Sequence, residues 1–274
     1  MAASSKRRAR VRKRKELERG TGRVKRAKKP LDTCNESMAV ALDLGKRKKF
    51  TTKDLANVAP LNLTQEHFIE MYQENTPIIT ATGYPGTAKS FLSVYCALCD
   101  IFDNTCAYDK LIIVRSAVET RSVGFLKGSL EEKTEPFEAP YRELLSEMMP
   151  KFNDAYTHAK NLGYVEFMLT THIRGLNIRN AVILIEEAQN MDIDELRSII
   201  TRAGEDSRIL ITGDALQDDL KRKREKSGLV QLKSILERMP DACHDGVEYS
   251  KEDIVRSGLV REFVIADFEQ SNNL

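Results

Sequence analysis

No apolar run in the 274-residue sequence approaches the ~20 residues that a membrane-spanning helix needs. The N-terminus has no apolar segment either, so a secretory leader is not expected. Cysteine is sparse. Cys34, Cys96, Cys99, Cys106 and Cys243 form an odd set without the spacing of a disulfide framework, which suits a reducing cytoplasm. Three of them lie between positions 96 and 106, but no fourth ligand stands at zinc spacing. Cys96 and Cys99 fall inside an apolar helix, and buried core thiols are the better reading.

Acids are scarce at the start of the chain. Residues 1–30 hold 14 lysines and arginines against Glu16 and Glu18 only. The whole chain has 43 bases and 41 acids, so the remainder carries ten more acids than bases. With so little apolar surface, residues 1–37 are expected to be a disordered basic tail on an acidic body. Lys6-Arg7-Arg8 and Arg12-Lys13-Arg14-Lys15 are its densest runs. Such a tail is either a nucleic-acid arm, gaining affinity by counterion release, or a solubilising or targeting segment. A second cluster, Lys46-Arg47-Lys48-Lys49, sits in a stretch (38–60) that reads as a linker or the start of the domain. The apolar share of 41% is enough for a buried core, and the folded domain is placed at 61–268, with 269–274 as a short C-terminal tail.

Within that domain the organising stretch is Thr80 to Ser90. An apolar run (Pro77 to Ala81) enters it and a helix-like run (Phe91 to Ile101) leaves it. Strand, glycine-bearing turn, Lys-Ser and helix is the layout of a phosphate-binding loop. Backbone N–H groups in the turn formed by Gly83, Tyr84, Pro85, Gly86, Thr87 and Ala88 would cradle the phosphates. Lys89 neutralises charge and Ser90 holds Mg²⁺. The pattern wants glycine where this chain has Ala88, and a tight strand–helix turn that happens to hold Lys-Ser is the alternative.

The chain then alternates. Leu61 to Met71 reads as a short amphipathic helix, Lys110 to Ser116 as a buried strand, Ala117 to Lys133 as a long polar loop, Pro136 to Met149 as a helix and Val165 to Thr171 as a strand. Ala181 to Ile185 is a central strand ending in Glu186-Glu187, where an NTPase holds Mg²⁺ and activates water. The alternative is that these acids sit at a helix N-terminus. Asp192 and Glu195, however, form a capping box for the helix Ile193 to Ala203, so that helix has its own caps. Arg208 to Asp214 is a further strand, with Gln217 past its end. In a parallel sheet the ends at 83–90, 186–187 and 213–217 share one edge. Lys221 to Lys226 is a basic loop or a solvated turn. Leu229 to Arg238 and Lys251 to Arg256 read as helices, and Val260 to Ala266 as a strand.

The ordered motifs Gly83–Ser90, Val114-Arg115-Ser116-Ala117-Val118-Glu119, Gly124-Phe125-Leu126-Lys127-Gly128, Glu131-Glu132-Lys133, Ile173-Arg174-Gly175, Glu187-Ala188-Gln189-Asn190, Thr201-Arg202, Thr212-Gly213-Asp214 with Gln217, and Ser227-Gly228-Leu229 resemble the PhoH-like family, over roughly residues 60–265. These are P-loop ATPases related to the N-terminal motor half of superfamily 1 helicases. The short chain and divergent motifs look like the phage-encoded branch, and a bacterial host cytoplasm would follow. The resemblance implies an α/β, RecA-like P-loop NTPase with a mainly parallel central sheet flanked by helices. It also implies ATP and Mg²⁺ as ligands, RNA or single-stranded DNA as partner, and a homo-oligomer, plausibly a hexameric ring. Lys89 would bind the β/γ-phosphates. Ser90 and Glu186 would hold the metal, Glu187 would be the catalytic base, Gln217 with Asp214 would sense the γ-phosphate, and Gln65 would read adenine. Arg174, Arg202 and Arg256 are candidates for an arginine finger supplied across a subunit interface. Ala88 for glycine, and Glu186 where the family has aspartate, predict ATP binding with slow turnover. No second motor domain and no PIN-type nuclease domain can be read.

Overall fold

Every apolar strand of this chain alternates between two buried faces, which sets a sheet with helices on both sides. The structure, a computed structural model, describes residues 49–103, 105–116, 130–214 and 228–272. The basic tail, the 117–129 loop, Gln217 and the 221–226 loop lie outside the described residues. Six strands, β1 (Ile78–Gly83), β2 (Lys110–Arg115), β3 (Val165–Leu169), β4 (Ala181–Ile185), β5 (Arg208–Gly213) and β6 (His244–Tyr249), form one sheet in the order β3-β2-β4-β5-β1-β6. All five pairings are parallel. Parallel neighbours need crossovers that cover both faces, so the strands read as continuous apolar runs rather than half-polar ones.

One face carries Ile79, Ala81, Leu111, Ile113, Val182, Leu184 and Leu210. They pack against α1 (Leu63–Gln73), α2 (Lys89–Phe102), α3 (Leu130–Met148) and α4 (Ala155–Asn161) through Phe68, Leu98, Leu145 and Tyr156. The alternate residues Ile112, Val114, Ile183, Ile185, Ile209 and Ile211 meet α5 (Ile193–Ile200) and α6 (Gly228–Leu236) through Leu196, Ile199, Leu229 and Leu232. α7 (Gly258–Asn272) follows β6 and is largely exposed. Phe50 is buried against Phe102, Phe152 and Tyr164, so in the stretch read as a linker or the start of the domain the folded part already begins by Phe50.

Four elements differ from the sequence reading. Residues 260–266 lie within α7 and not in a strand; Arg261 N–H donates to the Ser257 carbonyl at 2.9 Å, starting the helix. A short apolar run does not tell strand from helix by periodicity. The helix expected from Lys251 to Arg256 is a single 3₁₀ turn, Lys251–Asp253. β6 was not anticipated, because among its six residues only Val247 and Tyr249 are buried. α3 begins at Leu130, upstream of Pro136, and holds Pro136 and Pro140 within it, although proline is normally tolerated only in a first helical turn.

Candidate nucleotide site

The register places the ends of β1, β5 and β4 side by side: Thr82 pairs with Gly213, and Ile185 with Ile211. The chain leaves β1 at Gly83, whose φ is +124°. A Cβ there would lie 2.1 Å from the Tyr249 carbonyl oxygen, so only glycine lets β6 run this close to the loop. Tyr84 N–H donates to that same carbonyl at 3.1 Å. The loop closes at Ala88, the residue before α2, at φ 66° and ψ 24°. This is the left-handed region, and a non-glycine residue there carries strain of about 1 kcal/mol. Ala88 thus takes the backbone shape that the glycine of the motif would take.

Lys89 opens α2, and its ammonium lies inside the loop. Nζ donates to the carbonyls of Gly83 (3.0 Å) and Tyr84 (2.5 Å). Burial lowers its pKa from the ordinary 10.5, against the opposing pull of Asp214, Glu187 and Glu186. One residue on, Ser90 Oγ donates to Glu186 Oε2 at 2.9 Å. The other oxygen, Oε1, accepts from Thr212 Oγ1 at 2.6 Å. β5 runs between β1 and β4, and that insertion puts Thr212 within reach. Burial raises the Glu186 carboxyl above the ordinary 4.5. Glu187 adds to the rise, and the Thr212 and Ser90 hydroxyls and Arg115 oppose it.

Glu187 adopts φ 54°, ψ 44°, a second left-handed non-glycine residue at this edge. Gln189 Nε2 donates to its Oε2 at 2.6 Å, and Gln189 Oε1 accepts from the backbone N–H of Asp214 at 2.9 Å. A buried amide therefore joins the end of β4 to the end of β5. A cavity of ≈ 270 Å³ is lined by Pro85 to Phe91, Leu144, Glu187, Thr212 to Asp214, and Arg256.

The PhoH-like protein family matches residues 57–267. The chain belongs to the PhoH-like family. The PhoH-like protein of Synechocystis is 32% identical over 213 residues, covering 76% of this chain and 61% of that one. The PhoH-like protein of Mycobacterium leprae is 32% identical over 243 residues, 87% and 66% of the two chains. Protein PhoH of Escherichia coli K12 is 29% identical over 211 residues, 76% and 57%. In each case less than two thirds of the relative's length is spanned. A structure of Drosophila ORC bound to DNA aligns over 92% of this chain and 58% of that one at 14% identity and a TM-score of 0.29, a likeness too weak to bear on fold or function.

In this PhoH-like chain the P-loop nucleotide-binding fold brings Pro85, Gly86, Thr87, Ala88, Lys89, Ser90 and Glu187 to one cavity, with Gly83 and Tyr84 holding Lys89 and Glu186 bound to Ser90. The residues fit a Mg²⁺ ion. Ser90 Oγ and the Glu186 carboxylate are hard oxygen donors already side by side, and Mg²⁺ takes its other ligands from water and phosphates rather than from a protein cage. No group of three or more His, Cys, Asp or Glu residues among those described could by itself hold a metal ion. Gln65 stands apart from the cavity wall. It is buried, its Oε1 accepts from Leu61 N–H at 2.8 Å, and its Nε2 donates to the Thr87 carbonyl at 3.2 Å, bracing the loop against the start of α1. Arg174 is exposed in the turn after β3. Arg202 follows α5 at the opposite edge of the sheet, where its carbonyl accepts from Ile178 N–H. Neither lines the cavity. No helix among the described residues is long and apolar enough to cross a membrane.

Sequence reasoning gave no role to Gln189 or Thr212, although both lie inside quoted motifs. The available signal was a polar side chain at a buried position: Thr212 is the one hydroxyl of β5, and Gln189 is a buried amide.

Proposed function

We propose that this protein binds and hydrolyses ATP with Mg²⁺ and couples the reaction to handling RNA or single-stranded DNA as a homo-oligomer. The observation that carries the nucleotide part is the Ser90–Glu186 hydrogen bond beside the Lys89 ammonium, with the Glu187 carboxylate on the same cavity wall. Lys89 and the first turn of α2 supply positive charge to the phosphates. Bound at Ser90 and Glu186, Mg²⁺ would neutralise phosphate charge. Glu187, held by Gln189, orients the attacking water as base, and Asp214 with Gln217 reads the terminal phosphate. Gln65, joined to the loop at Thr87, couples base recognition to loop shape. Of the candidate arginines, the exposed Arg174 and the half-buried Arg202 are left for an action across a subunit interface.

The nucleic-acid part rests on the basic residues 1–30 and the 221–226 cluster, and the cytoplasm is the compartment that fits both. The test is Mg²⁺-dependent phosphate release with and without single-stranded RNA and DNA, alongside Glu187→Gln. Release that depends on Glu187 and is stimulated by one nucleic acid supports the reading. Nucleotide binding without release makes the protein an ATP-dependent switch, and indifference to both nucleic acids removes the coupling.

A further inference from the structure

The phosphate loop is held from outside by the segment after β6, and that segment carries an arginine. Ser250 and Asp253 fix its turn: Asp253 Oδ2 accepts from Ser250 N–H at 2.8 Å and from Ser250 Oγ at 2.9 Å. Asn62 Nδ2 reaches the Asp253 carbonyl at 3.4 Å, tying the turn to the head of α1. Ile254 is buried, and Val255 N–H then donates to the Gly86 carbonyl at 3.0 Å. That backbone bond sets the next residue, Arg256, directly on the loop. Gly86 has φ +74°, and a Cβ there would meet Arg256 Cγ at 2.8 Å, so the stem of the arginine lies in the space that glycine leaves. The side chain lines the same cavity as Lys89 and Glu187. Among the described residues Arg256 makes no ion pair, whereas Lys110, Arg142, Lys160, Arg197, Arg208 and Lys251 all do.

We infer that Arg256 acts within its own subunit as the second cation on the terminal phosphates of the nucleotide, and is not an arginine supplied to a neighbour. Three features converge on this. The guanidinium is fully charged at any physiological pH and lacks a carboxylate partner among the described residues. Its stem is fixed to the loop by a backbone hydrogen bond one residue away, so the group is pre-positioned. The cavity it lines is also lined by Lys89 and Glu187. A fork of guanidinium N–H groups there would grip phosphate oxygens in pairs, which an ammonium cannot do. The inference rests on the nucleotide reading of the cavity and adds a residue and a subunit to it.

The test uses the full chain, a fluorescent ATP and a fluorescent ADP, each with Mg²⁺. Arg256→Ala should weaken ATP binding by about ten- to a hundredfold, the worth of a charge-assisted hydrogen bond. ADP should be affected much less, and its retained binding shows that the variant is folded; Arg256→Lys should fall between. Arg256→Ala subunits are then mixed with Lys89→Ala subunits, which keep Arg256 but lack the lysine. ATP affinity that stays weak in the mixture supports action within the subunit. Affinity restored by mixing overturns it, as does an Arg256→Ala protein that binds ATP as tightly as the parent. If the parent protein binds neither nucleotide, the reading of the cavity itself fails, which is a separate result from an arginine that makes no difference.

Discussion

Gln189 donates to Glu187 at 2.6 Å, so the carboxylate proposed to orient water is held by the residue two positions on in its own turn. The same amide accepts from Asp214 N–H, so it links the two strand ends. Replacing Gln189 with glutamate puts a second negative charge against Glu187 and removes the donor. Turnover should fall by about 10–100-fold through misplacement of the base, while ATP affinity stays near that of the parent. A parallel loss of affinity would show instead that Gln189 shapes the whole cavity.

Ala88 stores strain where glycine would not. Gly has no Cβ penalty at φ 66°, yet it adds freedom to the unfolded chain, and the two effects partly offset. The left-handed cost is the larger, so Ala88→Gly should stabilise the fold by about 0.5–1 kcal/mol in urea unfolding. A loss of stability would mean that the methyl group packs usefully.

Glu186 has a sign that can be checked. Its folded pKa is raised above the ordinary 4.5, so the folded chain holds this proton more tightly than the unfolded one. The contribution favours folding below the ordinary value and is lost as pH rises through the folded value. Glu186→Gln cannot ionise and escapes that loss. The stability of the variant relative to the parent should therefore increase across that window, measured by denaturant unfolding at a series of pH values without nucleotide. A difference that is flat or falls with pH contradicts the raised value.

One buried carboxylate, Glu138, ties α3 to α4. Glu138 accepts from Thr134 Oγ1, Tyr156 OH and Lys160 Nζ, all at 2.8–2.9 Å. Burial pushes its pKa up, but the three donors outweigh this and hold it below the ordinary 4.5. Glu138→Ala removes the acceptor of the buried Tyr156 OH and should cost about 2 kcal/mol. An effect under about 0.5 kcal/mol would place it among ordinary surface substitutions.

Much of the site was legible in the sequence because chemistry there is local. Lys89-Ser90 behind a glycine turn, and Glu186-Glu187 behind an apolar strand, need only strand direction to meet, and a parallel sheet supplies it. The Gln189 bridge was not legible, since it depends on β5 lying between β1 and β4, and strand order is not encoded in any one segment. The sequence names Arg256 only as a candidate arginine finger, because its place on Gly86 depends on β6, a strand too polar to be read. Residues 260–266 read as a strand in the sequence because Val260, Phe263, Val264 and Ile265 suit either geometry, whereas they lie inside the fifteen-residue α7.

The central claim is that the cavity around Lys89 is a nucleotide site. The most direct measurement is the shift in thermal unfolding of the full chain on adding ATP with Mg²⁺, for the parent and for Lys89→Ala. A ligand that binds only the folded state stabilises by about 2.7 kcal/mol at a hundredfold excess over its Kd, which is several degrees in Tm for a domain of this size. The account predicts that rise in the parent and its loss in Lys89→Ala. No rise in the parent, or an equal rise in both, would contradict it.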